Sequence, residues 1–278
     1  MSLFSLFSWF FFLLPVSSLP SEHSFSLSNL HSRQSCQPFY TSFNDPSSIS
    51  PEGDAPFIAL SPADSYQFTN DGLVLTMKPP QEGPVHASPD GVNDKLGQAA
   101  IVNSTFWVDY GRVTFEFKTT LVPGAVTAFI FIDAEKDDQI HLDEIDAEVV
   151  GKNPYSWQSN IFKPSFADPK PHYGVFSQTH RLPHHDDSFA DTFHKISIEK
   201  RENQIMWSQD GVVVRTLNKQ DTYLDGVYHF PSDLMRLQFG VWDGSGAKGT
   251  SSWSGGPIDW EQVYTSITAT IRSVTVEC

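Results

Sequence analysis

Apolar and polar residues alternate with a period of two in short runs along most of this 278-residue chain. In RVTFEFK, Val113, Phe115 and Phe117 alternate with Thr114 and Glu116, which places the apolar side chains on one face of an extended strand. Leu73 and Leu75 alternate with Val74 and Thr76, and the run stops at Pro79-Pro80. HKISIEK (194–200) and QIMWS (204–208) lead to Asp210-Gly211 and then to VVVRTL (212–217). A two-residue Asp-Gly step between such runs predicts a β-hairpin, because glycine readily takes the positive φ that the turn requires. RLQFGVW (236–242) and SITATIRSVTVEC (266–278) add two more strands near the end. The 19 Pro and 17 Gly fall mostly between these runs, and long amphipathic helical patterns are absent. The pattern predicts an all-β sandwich of a dozen or so strands, with a concave sheet on which a long ligand can lie.

The first residues break this pattern. Leu3 to Val16 is an apolar run with no charged side chain, shorter than the roughly 20 residues that cross a bilayer. It reads as the core of a secretory signal peptide over residues 1–18, with Val16 and Ser18 small enough for the cleavage site. Residues 19–35 form a polar, Ser-rich leader, and 36–278 read as a single domain. Export fits the sequon Asn103-Ser104-Thr105, a candidate glycosylation site at Asn103. The two cysteines, Cys36 and Cys278, bracket the mature chain. In an oxidising compartment a disulfide between them would tie its ends together; two free thiols are the alternative.

Charge narrows the partners. With 18 Lys+Arg against 33 Asp+Glu, the net charge is −15. Binding of nucleic acid or of an anionic membrane relies on Lys and Arg, so neither is an expected partner. A neutral polymer remains acceptable. No motif demands a cofactor or metal, and a monomer is the expected state.

The candidate chemistry lies in HLDEIDAEVVG (141–151). Glu144, Asp146 and Glu148 stand at i, i+2 and i+4, so a strand turns all three carboxyls to one face, and Ile145, Ala147 and Val149 to the other. Crowded carboxylates hold a proton to higher pH, so an acid and a base coexist near neutrality. At roughly 3.3 Å per residue the Cα atoms of Glu144 and Glu148 are about 13 Å apart. Inward lean of the side chains brings the carboxyls toward the ~5–5.5 Å of a retaining glycosidase; an inverting pair stands roughly 6.5–9.5 Å apart. Spacing alone leaves both outcomes open, and an exposed acidic strand or a cation site as well.

DEIDAEVVG resembles the active-site strand of glycoside hydrolase family 16, whose motif is E-[I/L]-D-x-E. WQSNIF (157–162), ISIEKRENQIMWSQDGVVVRTL (196–217), LQFGVWDG (237–244) and GTSSWSGGPIDW (249–260) resemble segments of its fungal Crh-type chitin–glucan transglycosylases. The resemblance covers roughly residues 70–262. It implies a concanavalin A-like jelly roll, a retaining mechanism and a β-linked cell-wall polysaccharide, β-glucan or chitin, as substrate. Carried over by position, Glu144 is the nucleophile, Glu148 the acid/base, and Asp146 the group that tunes both. Trp242 and Trp253 match cleft aromatics on which a sugar would stack. Gln158 and Asn160, at alternate positions of the next strand, would offer amides to its hydroxyls. Trp107, Trp157, Trp207 and Trp260 are assigned to packing. Ala147 departs from the resembling type, where a large and often aromatic residue is usual. The polar stretch 134–142 also departs, being longer, and would reshape one end of the cleft.

Other signals are set aside. THRLPHHDD (179–187) reads as a surface loop, since Pro183 interrupts the His180/His184 spacing. GSGAKGTSS (244–252) lacks the order of a phosphate loop and shows no following helix. The rival function is a non-catalytic carbohydrate-binding protein on the same sandwich, which would have no need of both glutamates.

Overall fold

A computed structural model describes residues 36–81, 83–133, 142–164, 172–184, 187–264 and 266–278. The expected signal peptide and leader lie outside the described residues, as does 134–141 of the polar stretch. Two antiparallel sheets stack on each other. Across the first run β13 (Val212–Asn218), β12 (Gln204–Gln209), β11 (His194–Arg201), β6 (Gly111–Thr119), β17 (Ile267–Glu277), β4 (Gly72–Met77) and β3 (Tyr66–Thr69). The short β1 (Phe39–Thr41) pairs with the far end of β17. Across the second run β10 (Gln178–Arg181), β9 (Ser156–Phe162), β8 (Glu144–Val150), β7 (Ala125–Ile132), β16 (Arg236–Asp243), β5 (Ala100–Ser104) and β2 (Phe57–Ala59). A small hairpin, β14 (Tyr223–Leu224) and β15 (Val227–Tyr228), stands apart from both.

The alternation seen in the sequence is the alternation of burial. Val113, Phe115 and Phe117 of β6 are fully buried between the sheets. There they meet Phe129 of β7, with ring centroids 4.7 Å from Phe115 and 4.3 Å from Phe117. Each such side chain contributes roughly 1.5–3 kcal/mol by leaving water. At the β12–β13 turn, Asp210 and Gly211 take φ of 50° and 85°, the left-handed pair expected of Asp-Gly. Cys36 and Cys278 are disulfide-bonded, Cα to Cα 5.3 Å.

β7 departs from alternation, and its departure locates the site. All eight of its residues, AVTAFIFI, are buried. Ala125, Phe129 and Phe131 join the core between the sheets. Ala128, Ile130 and Ile132 form a second, smaller apolar cluster with Leu142 and Trp242 on the outer face of the seven-stranded sheet. An outer face that buries its central strand is recessed rather than flat.

Two readings of the sequence are corrected. A short helix, α1 (Lys248–Ser254), lies within the segment expected to have none. Residues 178–181 are the edge strand β10 rather than a loop, and His180 is buried there against Trp157, its Nε2 2.8 Å from Ser159 Oγ. Burial and the charge of Arg215 hold its pKa down to about 4, so it stays neutral.

Candidate active site

Register fixes which side chains share the recess. Glu144 lies opposite Ile132 on β7 and Phe162 on β9; Asp146 opposite Ile130 and Asn160; Glu148 opposite Ala128 and Gln158. Directly opposed residues point to the same face of a sheet. The three carboxyls therefore stand in a row beside Gln158 and Asn160, above the apolar floor of β7. On the opposite side of β8, Ile145, Ala147 and Val149 are buried in the main core.

The carboxyls are crowded, and two of the three are dry. Glu144 is 4% exposed and Asp146 1% exposed, while Glu148 is half-buried. Glu144 Oε2, both carboxyl oxygens of Asp146 and Asn160 Oδ1 are buried with no hydrogen-bond partner. All four are acceptors. A proton held on the row supplies the missing donor: a protonated Asp146 donates to Glu144. Burial, then the charges of Glu144 and Glu148, push the Asp146 pKa well above the usual range. Burial raises Glu144 to about 7, partly offset by its hydrogen bond with Asp146. Burial and the charge of Glu144 raise Glu148 to about 8.

Aromatic side chains wall the Glu148 end. Trp242 of β16 and Trp253 of α1 have ring centroids 6.3 Å apart with planes 24° off parallel. Trp253 Nε1 donates to Gln158 Oε1 at 2.9 Å, which fixes the amide opposite Glu148. Gly124 N, just before β7, donates to Ser254 O at 3.1 Å and ties down the end of α1, while Asp243, at the end of β16, braces the chain on either side. Its carboxyl accepts from Ser245 N at 2.9 Å, Gly97 N at 2.8 Å and Trp260 Nε1 at 3.3 Å. The sequence segments containing Trp242 and Trp253 thus meet in space.

Some residues of the site carried no signal in the sequence. Tyr173 stands near Glu144 with its ring 5.8 Å from that of Phe162; burial and the charge of Glu144 raise its pKa. It lies outside any strand, so no periodicity marks it. Asp143, fully buried, anchors the start of β8: it pairs with Lys163 and accepts from Ser232 N at 2.6 Å and Asp233 N at 3.0 Å. Burial raises its pKa against the pull of Lys163.

Asn103, the expected glycan acceptor, sits mid-strand on β5 and is 8% exposed. Its Oδ1 accepts from Gln238 Nε2 at 2.9 Å. Gln238 lies opposite Ile130, which lies opposite Asp146, so this amide pair belongs to the carboxylate face. A glycan there would have to stand in the recess, and the fold does not favour it. Among the described residues no group of three or more His, Cys, Asp or Glu is placed to hold a metal ion.

Comparison with known proteins gives the family and the fold. The family model "Glycosyl hydrolases family 16" matches residues 56–262, and the chain belongs to that family. Crh-like protein UTR2 of Candida albicans is 35% identical over 167 residues, 58% of this chain and 32% of the relative. This chain thus matches about a third of that relative's length. The solved structure of Crh5 transglycosylase in complex with NAG is 24% identical, with a TM-score of 0.55, covering 87% of each chain. The laminarinase catalytic domain from Thermotoga maritima is 18% identical, with a TM-score of 0.66, covering 87% of this chain and 97% of that one. Both structures share the jelly-roll sandwich.

Proposed function

We propose that this chain is a secreted, retaining glycosidase of the Crh-like type that acts on a β-linked cell-wall polysaccharide, glucan or chitin, chiefly by transglycosylation. The observation that carries the reading is the row Glu144–Asp146–Glu148 on one face of β8, two of its three carboxyls dry and the row short of a donor.

Glu144 attacks the anomeric carbon while Glu148 gives its proton to the leaving glycosidic oxygen. The bond from carbon to that oxygen breaks, and a glycosyl ester on Glu144 forms. Asp146 holds its proton toward Glu144 in the free protein and steadies its charge. Glu148, now a carboxylate, takes the proton of the incoming hydroxyl as that oxygen displaces Glu144. Water as acceptor gives hydrolysis; a sugar hydroxyl gives a new glycosidic bond. The likeness to a relative named a transglycosylase favours the sugar acceptor. Trp242 and Trp253 offer faces for a pyranose ring, and Gln158 and Asn160 amides for its hydroxyls. Residues 1–18 serve as the export signal, and 36–278 as one catalytic unit.

The test is product analysis. Mature protein incubated with chitin oligosaccharides and labelled β-1,3-glucan oligosaccharides should give cleaved and elongated products. Glu144→Gln and Glu148→Gln should each lower the rate by at least a thousandfold with the fold intact. Binding without product by the unmutated protein would overturn the reading in favour of a lectin.

A further inference from the structure

The core beneath the carboxylates is not purely apolar. The pairing of β12 with β13 shifts register between Trp207 and Ser208. A bulge of this kind re-aims the side chains beside it. Trp207 Nε1 crosses to the second sheet and donates to the backbone oxygen of Asp146 at 3.0 Å. Two residues on, Gln209 Oε1 accepts from Trp157 Nε1 of β9 at 2.7 Å. Arg215, opposite Trp207 on β13, lays its guanidinium over the indole, 4.6 Å from the ring centroid. Its Nη1 donates to Ser159 O at 3.0 Å and Ser159 Oγ at 2.8 Å, and its Nη2 to Phe176 O at 2.6 Å. Trp207 is fully buried and Arg215 is 9% exposed.

Such an arrangement is costly. A guanidinium taken out of water loses hydration, and burial lowers the pKa of Arg215 to about 10. Apolar packing of the same volume would hold two sheets together without that cost. What it would not do is fix one backbone atom of one residue. The atom fixed here belongs to Asp146, whose side chain stands between the two glutamates. Ala147, next in the chain, turns a single methyl toward the core. Its small size leaves the indole room to reach the strand, and a bulky residue would not.

We infer that Trp207 and Arg215 are positioning residues: the indole N–H sets the height of Asp146 on β8, and the guanidinium holds the indole and the neighbouring β9. This rests on the function proposed above, in which Asp146 tunes Glu144. Loss of the indole donor lets Asp146 drift, and its hydrogen bond to Glu144 loosens. The charged or titratable groups around that bond are Glu144 and Glu148 on β8, Tyr173 near Glu144, and, below the strand, Arg215 and the neutral His180. Gln158 and Asn160 face it from β9.

Two changes at 207 isolate the donor. Trp207→Phe removes the N–H and part of the ring. Benzothienylalanine at the same position keeps the bicyclic shape and replaces N–H by sulfur. With chitin and β-1,3-glucan oligosaccharides, each should lower kcat about five- to tenfold, the loss of one hydrogen bond, with KM within twofold. Arg215→Lys should retain more of kcat than Arg215→Met. By carbon-13 NMR of the carboxyls, the Glu144 midpoint should rise above its position in the unmutated protein. An unchanged kcat together with an unmoved midpoint would overturn the inference, as would a lowered Tm with both unmoved, which marks packing alone. If the unmutated protein makes no product, the proposed function fails, and the NMR midpoint still decides the role of Trp207.

Discussion

In the double displacement proposed above, Glu144 and Glu148 must hold opposite protonation states at one pH. Attack needs Glu144 ionised, and departure of the leaving group needs Glu148 protonated. With Glu144 raised to about 7 and Glu148 to about 8, the competent form is most populated between those values. The pH profile of kcat/KM should be a bell centred in the neutral range, several units above an unperturbed glutamate near ~4.3. Its limbs belong to the coupled row rather than to single residues. A maximum near pH 4 would contradict the burial that sets both shifts. The same burial has a cost in stability. A carboxyl whose folded pKa is raised contributes stability below its unfolded value, and loses it as pH rises toward the folded value. Glu144→Gln should therefore be more stable than the unmutated protein at pH 8, on the order of a few kcal/mol. The two should converge by pH 4. Calorimetry at both pH values checks the sign. The row itself was legible in the sequence, because E-x-D-x-E matches the period of a strand and the residues between it are apolar. Tyr173 was not, since a residue outside regular structure shares no periodicity with what it faces.

At the scale of elements, the site depends on strands that carry more than one duty. β8 offers carboxyls outward and Ile145, Ala147 and Val149 inward, and its backbone takes the Trp207 bond from below. Ala147 presents only a methyl to the core, on the side from which the Trp207 indole crosses to Asp146 O. Ala147→Tyr should overpack this layer by about 1–3 kcal/mol, lower Tm by several degrees and reduce kcat along with it. Unchanged Tm and kcat would show that the indole does not need the room. Strands buried on one face, such as β6, were legible from alternation. β7 was not, because AVTAFIFI is buried on both faces and a continuous apolar run has no period to read. α1 was hidden for a different reason: KGTSSWS is rich in residues of low helix propensity, and its seven residues are held from outside, as by Gly124 N donating to Ser254 O. The β14–β15 hairpin did carry an Asp225-Gly226 turn, but strands of two residues give no alternation to flank it.

Across the whole molecule, the disulfide joins Cys36 to Cys278. Cys36 precedes β1, which pairs with the far end of β17, and Cys278 follows β17 directly. β17 is an interior strand, bonded to β6 on one side and to β4 and β1 on the other. Fraying of its end would therefore expose the middle of the eight-stranded sheet rather than an edge. The bond closes a loop of 242 residues. In the chain-entropy account, closing a loop beyond a hundred residues removes about 5 kcal/mol of denatured-state freedom. The serine pair Cys36→Ser/Cys278→Ser should accordingly lose about 2–5 kcal/mol. At about 2–4 °C per kcal/mol for a domain of this size, Tm should fall by roughly 5–15 °C. The cysteines sit at the ends of the first sheet, and the carboxylates on the outer face of the second. At 25 °C the serine pair should thus keep its rate on oligosaccharides while losing heat resistance. Alkylation of the native protein without reductant, read by mass, should find no free thiol. Two alkylated cysteines, or a Tm that ignores the substitution, would mean that the pairing of β1 with β17 holds the termini by itself.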